Sequence, residues 1–189
     1  MTGESSDEGD QGEPPGPGSP AGAEPSWRAA TSLSPMCRPA WPHRVGCGGT
    51  AIPEGRCGQI PLIHGGDGGR YIGTWHTVIT KDPDSSWVNW GMYRLMVHDR
   101  NTLGCLFPLQ QHIGQMYQKY EAMNRSMPVA VAIGGQPVIP IVSCVQLPPY
   151  VNEVEVAGAL QGTPVPLVKC ETVDLEVPAT AEIILEGEV

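Results

Sequence analysis

Apolar and polar residues alternate along the chain from Ile60 onward, in short runs separated by turns. Alternation with a period of two is typical of strands, so we expect one strand over residues 71–80 and another over residues 87–97. The segment between them, Lys81-Asp-Pro-Asp-Ser-Ser86, consists mostly of turn-forming residues. The pattern therefore predicts an antiparallel hairpin.

A helical period follows this hairpin. Apolar side chains recur at spacings of three and four, at Ile113, Met116, Tyr117 and Tyr120. This spacing predicts a helix over residues 111–122 that buries one face. His112 would then lie in the first turn, where free backbone N–H groups form a natural phosphate seat.

A second, shorter helix is predicted over residues 152–160. Asn152 is a favourable capping residue, and Glu155 lies at the third helical position, from which it could return a hydrogen bond to the cap. That structural role for Glu155 leaves Glu153 available for other chemistry. Strands are also predicted over residues 128–133, 165–170 and 183–189, which gives an α+β domain built around an antiparallel sheet.

The first 58 residues differ from the rest in composition. Residues 1–25 carry six acidic residues and no Lys or Arg, and residues 26–58 show neither the strand period nor the helix period. We therefore expect a disordered, Gly/Pro-rich acidic leader over residues 1–58 and an ordered domain over residues 59–189. An out-of-frame read of a GC-rich gene gives a similar composition, so non-native coding sequence is a second interpretation of the leader.

Charge and cysteine usage narrow the class of protein. The net charge of −9 argues against nucleic-acid binding through a basic face. The sequence has no run of about 18 apolar residues and no signal peptide pattern, so we expect no membrane span and a cytoplasmic location. The six cysteines include no close pair, which favours buried reduced thiols over a zinc or other metal site. They are Cys37, Cys47, Cys57, Cys105, Cys144 and Cys170.

Three residues offer ligands for a metal ion. Asn89, His112 and Glu153 would supply an amide oxygen, an imidazole and a carboxylate. This mixed set suits Mn²⁺ or Mg²⁺ better than structural zinc. Single residues of these types are more often ordinary core or surface groups, so their spacing alone does not establish a site.

Several longer motifs add a second signal. They are Asp67-Gly-Gly-Arg-Tyr71, Asp82-Pro-Asp84, Asn89-Trp-Gly-Met-Tyr-Arg94, Gln111-His-Ile-Gly114, Glu153-Val-Glu-Val-Ala-Gly-Ala-Leu160, Val168-Lys-Cys-Glu171 and Pro178-Ala-Thr-Ala-Glu182. In this order, the segment from about residue 62 to residue 189 closely resembles the UbiD family of prenylated-flavin-dependent decarboxylases. The resemblance implies an antiparallel split β-barrel core of the flavin-reductase type.

The resemblance also implies a set of site residues. A metal ion, Mn²⁺ or Mg²⁺ with K⁺ as a further candidate, would bridge to the phosphate of prenylated FMN, held by Asn89, His112 and Glu153. Further side chains that would line the cofactor are Thr74, Met92, Arg94 and Gln111.

The implied reaction is the non-oxidative decarboxylation of an aromatic or α,β-unsaturated carboxylic acid. In the family, the prenylated flavin takes up the electron pair as carbon dioxide leaves. Arg94 would be the catalytic residue of this chain, because it would orient the substrate carboxylate and hold a neighbouring glutamate ionised.

The chain also departs from the family pattern. Family members carry further portions on both sides, including a Glu-Gly-Pro-x-Gly-Glu stretch with the catalytic glutamates, and these 189 residues contain no such stretch. We therefore expect a truncated decarboxylase core that forms a homo-oligomer or pairs with a complementing chain. Two alternatives stay open, namely a catalytically inactive flavin- and metal-binding or assembly module, and a flavin reductase that uses unmodified FMN.

Overall fold

The computed structural model describes residues 60–98 and 102–189, together with the backbone of strand β1 (Trp27–Arg28). The other predictions for residues 1–58, including disorder and the thiols of Cys37, Cys47 and Cys57, lie outside the described residues. The remaining elements are β2 (His76–Lys81), β3 (Val88–Gly91), β4 (Leu95–Val97), β5 (Leu103–Cys105), α1 (His112–Ala122), β6 (Pro128–Ile133), α2 (Val138–Ser143), α3 (Glu153–Gln161), β7 (Leu167–Lys169), β8 (Glu176–Pro178) and β9 (Ile183–Glu188).

The main sheet has five strands in the order β1-β9-β6-β2-β3, and every neighbouring pair is antiparallel. The predicted hairpin is confirmed, since β2 pairs with β3 in a register that places Thr80 opposite Asn89. Strands β4 and β5 form one small antiparallel sheet, and β7 and β8 form another. The predicted α+β class with antiparallel sheets is therefore confirmed.

Both faces of the main sheet are buried. Consecutive residues of a strand point to opposite faces and pack into two different hydrophobic clusters. Val78 and Val131 pack with α1, whereas Ile79 and Ala130 pack with α2 and α3. Polar side chains follow the same alternation, since Thr80 on the α1 side donates a hydrogen bond to Met116 Sδ at 3.4 Å. The alternation along each strand thus determines which residues pack against α1 and which pack against α2 and α3.

The two predicted helices are also confirmed, with small shifts at their ends. Helix α1 buries Ile113, Met116 and Tyr120, as the spacing predicted. Helix α3 ends at Gly162, whose φ of 75° is the left-handed conformation that favours glycine at a helix end.

The prediction of one continuous strand over residues 87–97 is wrong. The strand breaks at residues 92–94, where the carbonyl of Tyr93 accepts a hydrogen bond from His76 Nε2 at 2.6 Å. The second half becomes β4 and pairs with β5, an element that the sequence did not predict. The strand predicted over residues 71–80 is shorter too, since only Tyr71 bridges to Met96 before β2 begins.

Contacts at the outer edge of β3 explain why two further predictions differ from the structure, the split β-barrel and the helix cap by Asn152. The backbone N–H groups of Val88 and Trp90 donate to the side chains of Asn152 and Glu153, each at 2.9 Å, rather than to another strand. Within residues 60–98 and 102–189 the sheet does not close, so the predicted split β-barrel is not found as a closed barrel. Asn152 does not cap α3 with its side chain; its Nδ2 donates to Glu155 Oε1 at 2.8 Å instead.

The described cysteines are unbridged, and they differ in exposure. Cys105 and Cys170 are partly buried, but Cys144 is exposed, so the prediction of a buried thiol is wrong for Cys144. In the part of the chain that the structure describes, no helix is long and apolar enough to cross a membrane. The cytoplasmic location stays a prediction.

Candidate functional site

A cavity of about 590 Å³ lies beside β3, between the irregular segment 92–94, the start of α1 and the residues that follow α2. Its wall includes every side chain that the sequence analysis proposed for the site: Thr74, Asn89, Met92, Arg94, Gln111, His112 and Glu153. These residues come from four separate parts of the chain. The fold therefore brings the whole predicted set to one place, while the role of each residue stays a prediction.

Asn89 lies in the middle of β3 and is 2% exposed. Its Nδ2 lies 3.4 Å from Thr80 Oγ1 and 3.4 Å from the Tyr93 hydroxyl, and it donates to both. Because the amide nitrogen makes these bonds, the amide oxygen is the atom left to accept a hydrogen bond or bind a cation.

His112 is the first residue of α1, and its ring packs on Trp87 in an edge-to-face arrangement. The two ring centroids are 4.8 Å apart at an interplanar angle of 71°. Trp87 is itself fixed, since its indole N–H donates to the carbonyl of Val151 at 3.3 Å. Burial lowers the pKa of His112, which favours the neutral imidazole that a metal ion requires.

Glu153 is the first residue of α3 and reaches across the edge of β3 toward α1. Its Oε2 accepts the Trp90 N–H, and its Oε1 lies 3.9 Å from His112 Nδ1. Burial raises the pKa of Glu153, while the hydrogen bond from Trp90 acts in the opposite direction. The carboxylate is thus oriented by the backbone of β3, with one oxygen turned toward the imidazole.

These donors fit a divalent cation of the Mn²⁺ or Mg²⁺ type. No Lys or Arg among the described residues forms an ion pair with Glu153, so a cation would offset the cost of burying its charge. No three His, Cys, Asp or Glu side chains gather anywhere in residues 60–98 or 102–189, this cavity included. A metal ion at Glu153 and His112 would therefore rely on the amide oxygen of Asn89 as its third protein ligand.

Arg94 projects from the irregular segment between β3 and β4. Its guanidinium carbon lies 4.9 Å from the centroid of the Tyr71 ring, a distance at which a cation is attracted to the ring face. The side chain is exposed at the cavity. Arg94 is therefore held on one side by an aromatic ring and is open on the other to an anionic ligand.

The remaining predicted residues lie around the same wall. Met92 contacts the Cys144 thiol, with the two sulfurs 3.7 Å apart. Gln111 precedes α1 and makes no side-chain cap hydrogen bond, so the helix begins with uncapped backbone N–H groups beside the cavity. Thr74 lies in the exposed turn before β2.

Sequence reasoning did not propose the other residues of the cavity wall, and His76 and Cys144 are two of them. His76 falls within a run of strand-forming residues, and Cys144 ends an apolar segment, so neither stands out by spacing. Only the fold brings them to the cavity.

The family comparison covers more than half of the chain. Residues 59–189 match the UbiD family, described as 3-octaprenyl-4-hydroxybenzoate carboxy-lyase Rift-related domain. The chain is 42% identical over 130 residues to a pyrrole-2-carboxylic acid decarboxylase of Pseudomonas aeruginosa, which covers 69% of the chain and 26% of that relative. It is 40% identical over 130 residues to ferulic acid decarboxylase 1 of Candida dubliniensis, which covers 68% of the chain and 25% of that relative.

Solved structures agree with this similarity. The UbiD-class enzyme HmfF of Pelotomaculum thermopropionicum, solved in complex with FMN, matches with a TM-score of 0.65 and 43% identity. The match covers 68% of this chain and 28% of HmfF. An evolved dimeric form of HmfF in complex with prFMN gives the same TM-score and identity and is covered to 30%. The chain thus spans between a quarter and a third of the length of these relatives.

Proposed function

Because the chain belongs to the UbiD family of carboxy-lyases, we propose that residues 59–189 form the cofactor-binding part of a prenylated-FMN-dependent decarboxylase. Its substrate class is an aromatic or α,β-unsaturated carboxylic acid. The observation that carries the proposal is the single cavity lined by all seven predicted residues. The FMN and prFMN complexes of HmfF support the choice of cofactor.

The metal ion belongs at one end of this cavity. Asn89, His112 and Glu153 would hold Mn²⁺ or Mg²⁺, with K⁺ as a further candidate ion nearby. The uncapped first turn of α1 adds backbone N–H groups that favour a phosphate at the same end. Cation and helix terminus together would bind the anionic end of the cofactor.

Arg94 acts on the substrate. A guanidinium can donate two parallel hydrogen bonds to a carboxylate, which fixes both its position and its orientation. When bound, the prenylated flavin supplies the electron sink for the bond that breaks as carbon dioxide leaves. The wall formed by Met92 and Cys144 would keep the reacting end of the cavity less polar than the metal end.

Proton delivery is not provided by the described part of the cavity. Glu153 is the one carboxylate in the described wall, and it is bonded to Trp90 and turned toward His112. General acid catalysis is typically worth 10²–10⁴-fold, so turnover would require an acid supplied by a complementing chain. We therefore expect no measurable turnover from the 189-residue chain alone.

A complementation assay tests this function. The chain would be reconstituted with prenylated FMN and Mn²⁺, and carbon dioxide release from a panel of aromatic and α,β-unsaturated acids would be measured. Each acid is tested with and without the C-terminal part of a family member, supplied as a separate polypeptide. Release only with the added polypeptide supports the proposal, and robust release without it would show that the proton donor has been misplaced.

The second candidate is a catalytically inactive flavin- and metal-binding or assembly module. The lack of a second carboxylate in the described cavity wall favours it. This candidate would be selected if the chain binds the cofactor but releases no carbon dioxide from any acid, with or without the added polypeptide. NADPH oxidation with unmodified FMN would instead indicate a flavin reductase.

A further inference from the structure

His76 is a buried residue of the cavity wall to which the proposed function gives no role. It begins β2 and is 2% exposed. Its Nε2 lies 2.6 Å from the carbonyl oxygen of Tyr93, whereas its Nδ1 is buried and has no hydrogen-bond partner among the described residues. An unpaired buried acceptor lowers stability, so filling space alone does not account for a histidine here.

The contact with Tyr93 fixes the proton on the ring. A backbone carbonyl can only accept, so Nε2 must carry the hydrogen and donate it. Burial lowers the pKa of His76, and the bond to the Tyr93 carbonyl partly opposes this shift. The ring is therefore neutral near pH 7, with Nδ1 unprotonated.

Gly73 sets the position of the ring. A Cβ atom at residue 73 would lie 2.3 Å from His76 Nδ1 and 2.4 Å from its Cγ. Such contacts are far shorter than van der Waals distance, so any side chain at residue 73 would displace the imidazole. The glycine thus leaves the space in which His76 can reach Tyr93.

The carbonyl that His76 binds belongs to a backbone segment that carries two side chains of the cavity wall. Tyr93 belongs to the segment that leaves the sheet between β3 and β4, and its neighbours Met92 and Arg94 both line the cavity. The Arg94 guanidinium packs on the Tyr71 ring. The Asn89 amide anchors the Tyr93 side chain through its hydroxyl, whereas the bond from His76 holds the Tyr93 backbone, from which Arg94 follows directly.

We propose that His76 is a positioning residue, whose Nε2–H bond to the Tyr93 carbonyl holds segment 92–94 so that Arg94 projects into the cavity. This inference rests on the proposed role of Arg94 in ligand binding. It predicts that ligand binding depends on a hydrogen-bond donor at the Nε2 position and does not depend on Nδ1, which carries no hydrogen.

Two amide substitutions separate these positions. His76→Gln places an amide nitrogen near the Nε2 position, from which it can still donate to Tyr93, whereas His76→Asn places it near Nδ1, out of reach. In titrations with FMN and Mn²⁺, we expect His76→Asn to weaken FMN binding about tenfold and His76→Gln to recover most of the affinity. Equal affinity for both variants would overturn the inference.

A double-mutant cycle tests whether His76 acts through Arg94. Arg94→Ala alone should weaken FMN binding, and adding His76→Asn should then cost less than about twofold more. Additive losses would overturn the role of His76 while leaving that of Arg94 intact. Wild-type affinity in Arg94→Ala would instead contradict the cofactor contact of Arg94 on which this inference rests, and would leave its proposed role toward the substrate carboxylate intact.

Two further measurements keep the test independent of folding defects and of ligand. Gly73→Ala keeps a histidine at residue 76 but displaces its imidazole ring, so it should weaken FMN binding as His76→Asn does. In the ligand-free chain, amide hydrogen exchange of residues 92–97 should accelerate in His76→Asn and stay slow in His76→Gln. Unchanged exchange in His76→Asn would overturn the inference even if the chain bound no FMN.

Discussion

Replacing Asn152 by alanine should destabilise the edge of the sheet at which the candidate metal ligands meet. The substitution removes the acceptor of the Val88 N–H and the donor to Glu155, at 2.9 Å and 2.8 Å. A partly buried backbone donor left without a partner costs about 1–3 kcal/mol, and the exposed bond to Glu155 adds little. We therefore expect the free energy of unfolding to fall by about 1–2 kcal/mol.

Urea denaturation followed by tryptophan fluorescence measures this loss, and a charge-neutral exchange provides its control. In Asn152→Asp combined with Glu155→Gln, the carboxylate still accepts from Val88 and the new amide donates back to it. The exchange keeps the net charge and both hydrogen bonds, so stability should return to within about 0.5 kcal/mol of the wild type. Full stability in Asn152→Ala, or no recovery in the exchanged pair, would refute the reasoning.

Two other predictions concern the described cysteines and the buried Glu186. Burial raises the pKa of Cys105 and of Cys170 to about 12, so both thiols stay protonated at pH 8, whereas Cys144 is exposed; iodoacetamide should therefore modify Cys144 before Cys105 and Cys170, as peptide mass spectrometry would show. Buried Glu186 accepts hydrogen bonds from the backbone N–H of Thr172 and from its hydroxyl, each at 2.6 Å; Glu186→Ala should lower the free energy of unfolding by about 2–4 kcal/mol in urea denaturation, and a loss below 1 kcal/mol would contradict this structural role.

Periodicity predicted the elements that depend on local sequence. Helix α1 has a sustained apolar spacing and appears where expected, as does the β2–β3 hairpin with its turn-forming connection. The break after β3 could not be read in this way, because residues 92–94 continue the alternating pattern. They leave the sheet through a contact with His76, which is distant in sequence.

The site shows the same division between local and long-range information. Spacing alone gave Asn89, His112 and Glu153 little weight, and it was the longer motifs that singled them out. Their meeting point depends on how α3 lies along β3, where consecutive side chains of Asn152 and Glu153 accept N–H groups from the strand edge. That packing also replaced the predicted helix cap, because Asn152 was already engaged with Val88.

The most direct test of the account is FMN binding by the purified chain with and without Mn²⁺, compared across three alanine variants. His112→Ala and Glu153→Ala should each abolish the Mn²⁺-dependent part of binding, because they remove proposed metal ligands. Glu155→Ala removes the same charge from the same helix and should keep that binding, with little loss of stability because its bond to Asn152 is exposed. Loss of Mn²⁺-dependent binding in Glu155→Ala, together with normal binding in Glu153→Ala, would contradict the assignment of the site.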